Sequence, residues 1–238
     1  FDAAQRALTL RSAVDGSVWM FSSSEAVANL AALLPGQSWQ QARAVAMAQQ
    51  LAQAQIRPHF LFNSLAALQH WVHSKDDRAA PMLGALTAFL RATLPMFDRS
   101  AIALGDEEKA VTEYLEVMRL RLGERLSYVV SVDADTRGWM LPPGLLLTLA
   151  ENAIEHGVQP QLAGGRVQVR AFRRGHEGVI EVQDDGAGFH EHPSAKAHAG
   201  VGLPNSRARL TQAFGAAADL SLSTPPQGGC IARITFPI

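Results

Sequence analysis

His59 stands in the run Arg57-Pro58-His59-Phe60-Leu61-Phe62-Asn63. An unperturbed imidazole titrates near ~6.5, so its neutral, nucleophilic form is well populated at neutral pH. Gln55 lies one helical turn before it and Asn63 one turn after, each placed to hydrogen-bond the ring. A second cluster is Glu151-Asn152-Ala153-Ile154-Glu155-His156-Gly157. Asn152 falls on or at the edge of an apolar helical stripe, where an amide must be satisfied by the core or by a ligand. Glu151 and Glu155 are four apart and repel, which a nearby cation would relieve. The third cluster, Asp184-Asp185-Gly186-Ala187-Gly188, follows a strand pattern. The fourth, Gly200-Val201-Gly202-Leu203-Pro204-Asn205, precedes a helix, where exposed N–H groups favour phosphates. Arg207 and Arg209 follow within reach of such oxygens. Taken singly, each cluster has a structural reading: a surface histidine, a satisfied amide, a turn aspartate, loop glycines.

The elements that must position these clusters are legible from periodicity. Apolar or small residues at 44, 47, 51, 54, 61, 65, 68 and 72 step by threes and fours, with Pro58 in the one gap. This predicts a long helix over 40–73 that buries Leu61 and Leu65, bends at Pro58 and holds His59 outward. Pro81 suits the first turn of a second helix, and Leu83, Leu86, Leu90, Leu94 and Phe97 continue it until Pro95 and Asp98 interrupt. Asp106-Glu107-Glu108 opens a third stretch with Val111, Leu115, Met118 and Leu122 on one face. Its acids stand at the start and Arg119 and Arg121 near the end, as the helix dipole favours, and Gly123 marks the stop. Beyond Gly123 the period changes to that of strands, at 127–132, 166–172, 179–183, 219–222 and 231–236. Helices are expected from Pro142-Pro143 to about His156 and from Leu203 to Phe214. The expected class is α+β: a helical hairpin that dimerises into a four-helix bundle, then an α/β sandwich. The expected divisions are 1–39, unassigned; 40–122, dimerisation and phosphotransfer helices; and 123–238, a nucleotide-binding domain.

Pro58-His59-Phe60-Leu61-Phe62-Asn63 resembles the phosphoacceptor box of LytS/YehU-type sensor histidine kinases, with Arg57 where relatives carry asparagine. The 151–157 cluster is similar to the N box of the superfamily that unites these kinases with DNA gyrase and Hsp90. The resemblance implies a Bergerat-type ATP-binding fold. It makes His59 the phosphoryl acceptor, Asn152 the Mg²⁺ ligand with His156 beside it, and Asp184 the acceptor for the adenine amino group. Gly186 and Gly188 then let the backbone approach the base, and Gly200, Gly202, Leu203 and Asn205 form the second glycine box. An amide oxygen completed by phosphates and water suits Mg²⁺. The usual lysine three residues after the asparagine is Glu155 here. Gly228-Gly229 matches the final glycine pair, and residues 190–199 read as a lid over ATP. The order of the boxes, each on its expected element type, outweighs the structural readings.

The resemblance implies a homodimer that passes phosphate to an aspartate of a response regulator with a LytTR-type DNA-binding domain. Such a protein is anchored in the bacterial inner membrane by an N-terminal sensor region, with this region cytoplasmic. Two other readings are a superfamily ATPase or serine kinase of another kind, and a non-catalytic nucleotide-binding dimeric signalling scaffold. Composition agrees with a globular protein: 47% apolar and 18% charged residues among 238. A formal charge of −1 gives no reason to expect direct nucleic-acid binding. The single cysteine, Cys230, rules out an internal disulfide.

Overall fold

The structure is a computed structural model that describes residues 58–186, 188 and 202–238. All of them belong to one compact unit, Arg57–Ile238. Gln55, Arg57, Gly200, the whole expected lid and the helix before Pro58, with its expected bend, lie outside the described residues.

Helix α1, Pro58–Ser74, is followed by α2, Ala79–Thr93, and a 3₁₀ turn over Leu94–Met96. Pro81 sits in the first turn of α2, where its missing N–H costs nothing. Strand β1, Ile102–Ala103, leads directly into α3, Leu104–Leu122. Gly123, at a φ of 62°, closes α3 by donating its N–H to the carbonyl of Arg119. Then come β2, Leu126–Val132; β3, Met140–Leu141; and α4, Leu145–Asn152. A π-helical segment, Ala153–Val158, extends α4. The remaining elements are β4, Gly165–Arg174; β5, Glu177–Asp184; α5, Gly202–Phe214; β6, Asp219–Ser223; and β7, Cys230–Pro237.

The main sheet has the order β2-β4-β5-β7-β6, with β2 and β4 parallel and the other pairs antiparallel. Each of the five expected strands is present, extended by one to three residues. Alternation is clearest in β4, where Val167, Val169 and Ala171 turn inward. Helices α3, α4 and α5 pack on the sheet and on one another, giving a two-layer α/β sandwich. The short pair β1–β3 was not expected, because two residues carry no readable period.

Helix α3 packs against α2 on one side and against α4 and β2 on the other. It therefore joins the hairpin to the sandwich. The hairpin is pinned by an aromatic triangle in which Phe60 lies 5.1 Å from Phe89 of α2 and 5.0 Å from Tyr114 of α3. Such rings contribute about 0.5–1.5 kcal/mol per pair beyond their buried area.

The seam of α1 differs from its expected form. Within this chain α1 buries Phe60, Leu61, Ser64 and Trp71. Leu65 is 52% exposed and Val72 59%, and Phe62 and Leu83 are exposed as well. The helix is apolar on two faces, so one stripe of threes and fours could not tell which one the chain itself covers.

Candidate active site

The acceptor box begins the described part of α1, and successive residues point in different directions on it. Phe60 and Leu61 turn into the core while His59 stays exposed, so the anchor and the displayed ring are neighbours in sequence. Ser64 is fully buried and satisfied by donating its hydroxyl to the Phe60 carbonyl at 2.8 Å. The Asn63 amide nitrogen lies 3.2 Å from Nδ1 and 3.1 Å from Nε2 of His59. It can donate to whichever ring nitrogen carries the lone pair. His73 shares the helix but hydrogen-bonds the Gln69 carbonyl through Nδ1 at 2.8 Å, so that nitrogen carries the proton. The two histidines thus differ in partner, a side-chain amide for His59 and a backbone carbonyl for His73.

His59 and Asn63 open into a cleft of about 120 Å³. Tyr114, Met118 and Arg121 of α3 form part of its wall. Glu151, Ile154, Glu155 and Gln159, from the end of α4 and the segment beyond it, form another part. Arg121 is thus a cation in the same cleft as the two mutually repelling carboxylates. Burial lowers its pKa, and its Nη1 approaches the Met118 sulfur at 3.5 Å.

Asn152 is the last residue of α4 proper, half-buried, where the helix widens to π geometry. The Gln159 N–H reaches back to the Ile154 carbonyl at 2.8 Å, a five-residue step. The sequence predicted a helix to about His156 but carried no signal for the widened turn. His156 is exposed.

Asp184 ends β5, 4% exposed, and one of its oxygens accepts the Gly186 N–H at 3.0 Å. Burial raises its pKa; N–H donors from Gly186 and Cys230 oppose that rise. Three glycines crowd around it. A Cβ on Gly157 would lie 2.4 Å from Oδ1 of Asp184, and one on Gly229 would lie 2.0 Å from its carbonyl oxygen. A Cβ on Gly186 would stand 2.1 Å from the Gly157 carbonyl oxygen. The expectation was that Gly186 lets the backbone approach a base. In the folded chain its first demand is that two backbone segments nearly touch. Gly188 is looser, with its nearest such contact at 3.4 Å.

Gly202 opens α5, with Leu203 half-buried and Asn205 exposed. Arg207 donates from Nε to the Leu220 carbonyl at 2.9 Å, and Arg209 donates from Nη2 to the Pro143 carbonyl. Both guanidiniums, expected at phosphate oxygens, direct donors to backbone carbonyls and tie α5 to β6 and to the start of α4.

Glu107 is the residue whose role the sequence concealed. Its place in the first turn of α3 suggested only an acid favoured by the helix dipole. It is fully buried, and it accepts N–H bonds from Gly144, from Leu145 at 3.1 Å and from Leu147 at 3.2 Å. It thus caps the N-terminus of α4 from another helix, in place of the local side chain that Gly144 lacks. Burial pushes its carboxyl up to about 7, against those N–H bonds and the charge of Arg209. A cap supplied from 37 residues away leaves no local sequence pattern.

Among the described residues no group of three or more His, Cys, Asp or Glu side chains could hold a metal alone. An amide oxygen such as that of Asn152 is a hard donor of the kind Mg²⁺ takes alongside phosphate and water oxygens. Asp184 offers a buried carboxylate acceptor, chemically suited to an amino-group donor. Among the described residues no helix is long and apolar enough to cross a membrane.

Comparison with known proteins agrees with this geometry. The family described as histidine kinase matches residues 47–126. The family described as histidine kinase-, DNA gyrase B- and HSP90-like ATPase matches residues 144–238. The chain is 31% identical over 186 residues to the sensor histidine kinase BtsS of Escherichia coli K12, spanning 78% of this chain and 32% of BtsS. It is 31% identical over 186 residues to the sensor histidine kinase/phosphatase LytS of Staphylococcus aureus MRSA252, spanning 74% of this chain and 32% of LytS. It is 30% identical over 194 residues to YwpD of Bacillus subtilis 168, spanning 79% of this chain and 69% of YwpD. The chain thus spans about a third of the length of BtsS and LytS. The chain belongs to the histidine kinase family, and over the matched residues it is similar to the sensor kinases BtsS and LytS.

Proposed function

We propose that this region is the catalytic part of an ATP-dependent protein histidine kinase that phosphorylates itself on His59. The observation that carries the reading is the cleft in which an exposed histidine and residues of the N box line one space. ATP supplies the phosphoryl group. Asp184 would receive the adenine amino group, and Asn152 would hold the phosphate end through Mg²⁺. The described remainder of the glycine box, Gly202, Leu203 and Asn205, would offer the N-terminal end of α5 to the phosphates. His59 attacks as neutral imidazole through its bare nitrogen; Asn63, with its amide 3.1–3.2 Å from the ring, would orient the imidazole beforehand and give up any hydrogen bond to that lone pair as the phosphoryl group arrives. Positioning and charge neutralisation then do most of the catalytic work.

The exposed apolar residues Phe62, Leu65 and Val72 recur along α1 at helical spacing, and Leu83 adds to them from α2. They suit a second copy of the hairpin and hence a homodimer with a four-helix bundle. From the dimer the phosphoryl group would pass to an aspartate of a response regulator, one with a LytTR-type DNA-binding domain. A sensor region outside this sequence would anchor the whole protein in the inner membrane and leave this part cytoplasmic. Because LytS of Staphylococcus aureus is named a kinase/phosphatase, Asn63 is assigned a second role in dephosphorylating the regulator.

Incubation with γ-labelled ATP tests the reading. It predicts an acid-labile, base-stable phosphate that is lost in His59→Ala and kept in His73→Ala. An acid-stable label points to a serine kinase, and nucleotide binding without label to a signalling scaffold.

A further inference from the structure

If His59 is the acceptor proposed above, the geometry points to phosphorylation within one chain: the nucleotide module that serves His59 is its own. His59 belongs to α1, and the cleft it opens into has Glu151 and Glu155 of the same chain in its wall. Those two carboxylates flank Asn152 in sequence, and residues three apart on a helix lie roughly 5–6 Å apart at Cβ. The phosphate end of the proposed nucleotide site is therefore about one helical turn around α4 from the cleft wall. The hairpin is not on a free tether. The Phe60 ring, next to His59, packs on Tyr114 of α3, and α3 packs on α4. A second chain's module would have to reach the ring past this wall, whereas the chain's own module already borders it.

The transfer forms one N–P bond from the lone pair of a His59 ring nitrogen. It breaks the bond between the γ-phosphorus and the oxygen bridging to the β-phosphate, whose electron pair leaves with ADP. The proton on the other ring nitrogen passes to water, which balances the charge. No oxidant or further reactant is needed.

Two measurements decide it. In the first, wild-type protein and the double variant His59→Ala/Asn152→Ala carry different tags and are co-purified as heterodimers. Transfer within a chain labels the wild-type subunit at about half the rate of the wild-type dimer, the share expected for one active subunit. Absence of label there, with label in a heterodimer of His59→Ala and Asn152→Ala, overturns the inference and leaves the kinase reading intact. A wild-type dimer that takes no label at all refutes the kinase reading itself, and with it the inference. The second measurement needs no nucleotide. Asn63→Cys and Glu155→Cys are placed in a Cys230→Ser background, isotopically heavy and light chains are mixed, and a short bis-maleimide is added. Cross-linked peptides that are only light–light or heavy–heavy support the inference. Mixed light–heavy peptides in the statistical proportion, or no cross-link between the two positions, overturn it.

Discussion

His59 stands exposed and, among the described residues, has the Asn63 side chain as its partner, whereas Asp184 is buried beneath backbone that three glycines allow to come within touching distance. In the proposed transfer the two sites serve one reaction, and they are built in opposite ways. A nucleophile that must meet two partners in turn needs an open ring, so its anchoring falls to its neighbour Phe60. A base-recognition carboxylate needs a fixed place, so the chain closes around it and tolerates no added atom. Substitutions at the acceptor end should therefore change chemistry and leave folding alone, while those at the nucleotide end should change both.

The largest expected effect is Gly229→Ala. Its Cβ would fall 2.0 Å from the Asp184 carbonyl oxygen, at a φ of 80°. Overpacking and left-handed strain together predict a loss of roughly 3–5 kcal/mol, read from denaturant melts, together with loss of nucleotide binding. Normal binding with a loss below about 1 kcal/mol would break the comparison on its crowded side.

Glu107→Ala comes next. It leaves the three buried N–H groups at the start of α4 without their carboxylate, at a cost of about 3 kcal/mol. Glu107 also sets a pH dependence. Its carboxyl is raised from the ordinary 4.5 to about 7 in the fold, so between those values the folded state binds the extra proton. Its contribution to stability is present below about 4.5 and falls as pH rises through about 7, a change of roughly 3 kcal/mol in the limit. Melts across that window should lose this slope in Glu107→Gln. An unchanged slope would show that the group does not titrate there.

At the acceptor end the same melts should find His59→Ala within about 0.5 kcal/mol of wild type, as for an exposed side chain away from the core. A larger loss would mean that the ring is structural. The smallest effect is expected at Asn63→Ala, which should spare autophosphorylation more than dephosphorylation of the regulator. Equal losses in the two assays would remove the second role assigned to Asn63.

What the sequence made legible follows the same division. The five strands were readable because Val, Ile, Leu and Phe are concentrated along short runs, in alternation where one face is exposed, and the box residues because their types are unusual together. Three features were hidden because each depends on residues far apart in the chain. Glu107 looks like any acid in a first turn until α4 arrives beneath it. Gly157 looks like a helix terminator until Asp184 fills the space that its Cβ would take. Leu65 and Val72 read as core because periodicity shows that a face is apolar and not what covers it.

The central claim is that a ring nitrogen of His59 receives the phosphoryl group. Peptide mapping under neutral to alkaline conditions, after incubation with ATP and magnesium, tests it most directly. The account predicts phosphate on the peptide that contains His59, attached through the imidazole. Phosphate on His73, on a hydroxyl side chain, or on no peptide at all would contradict it.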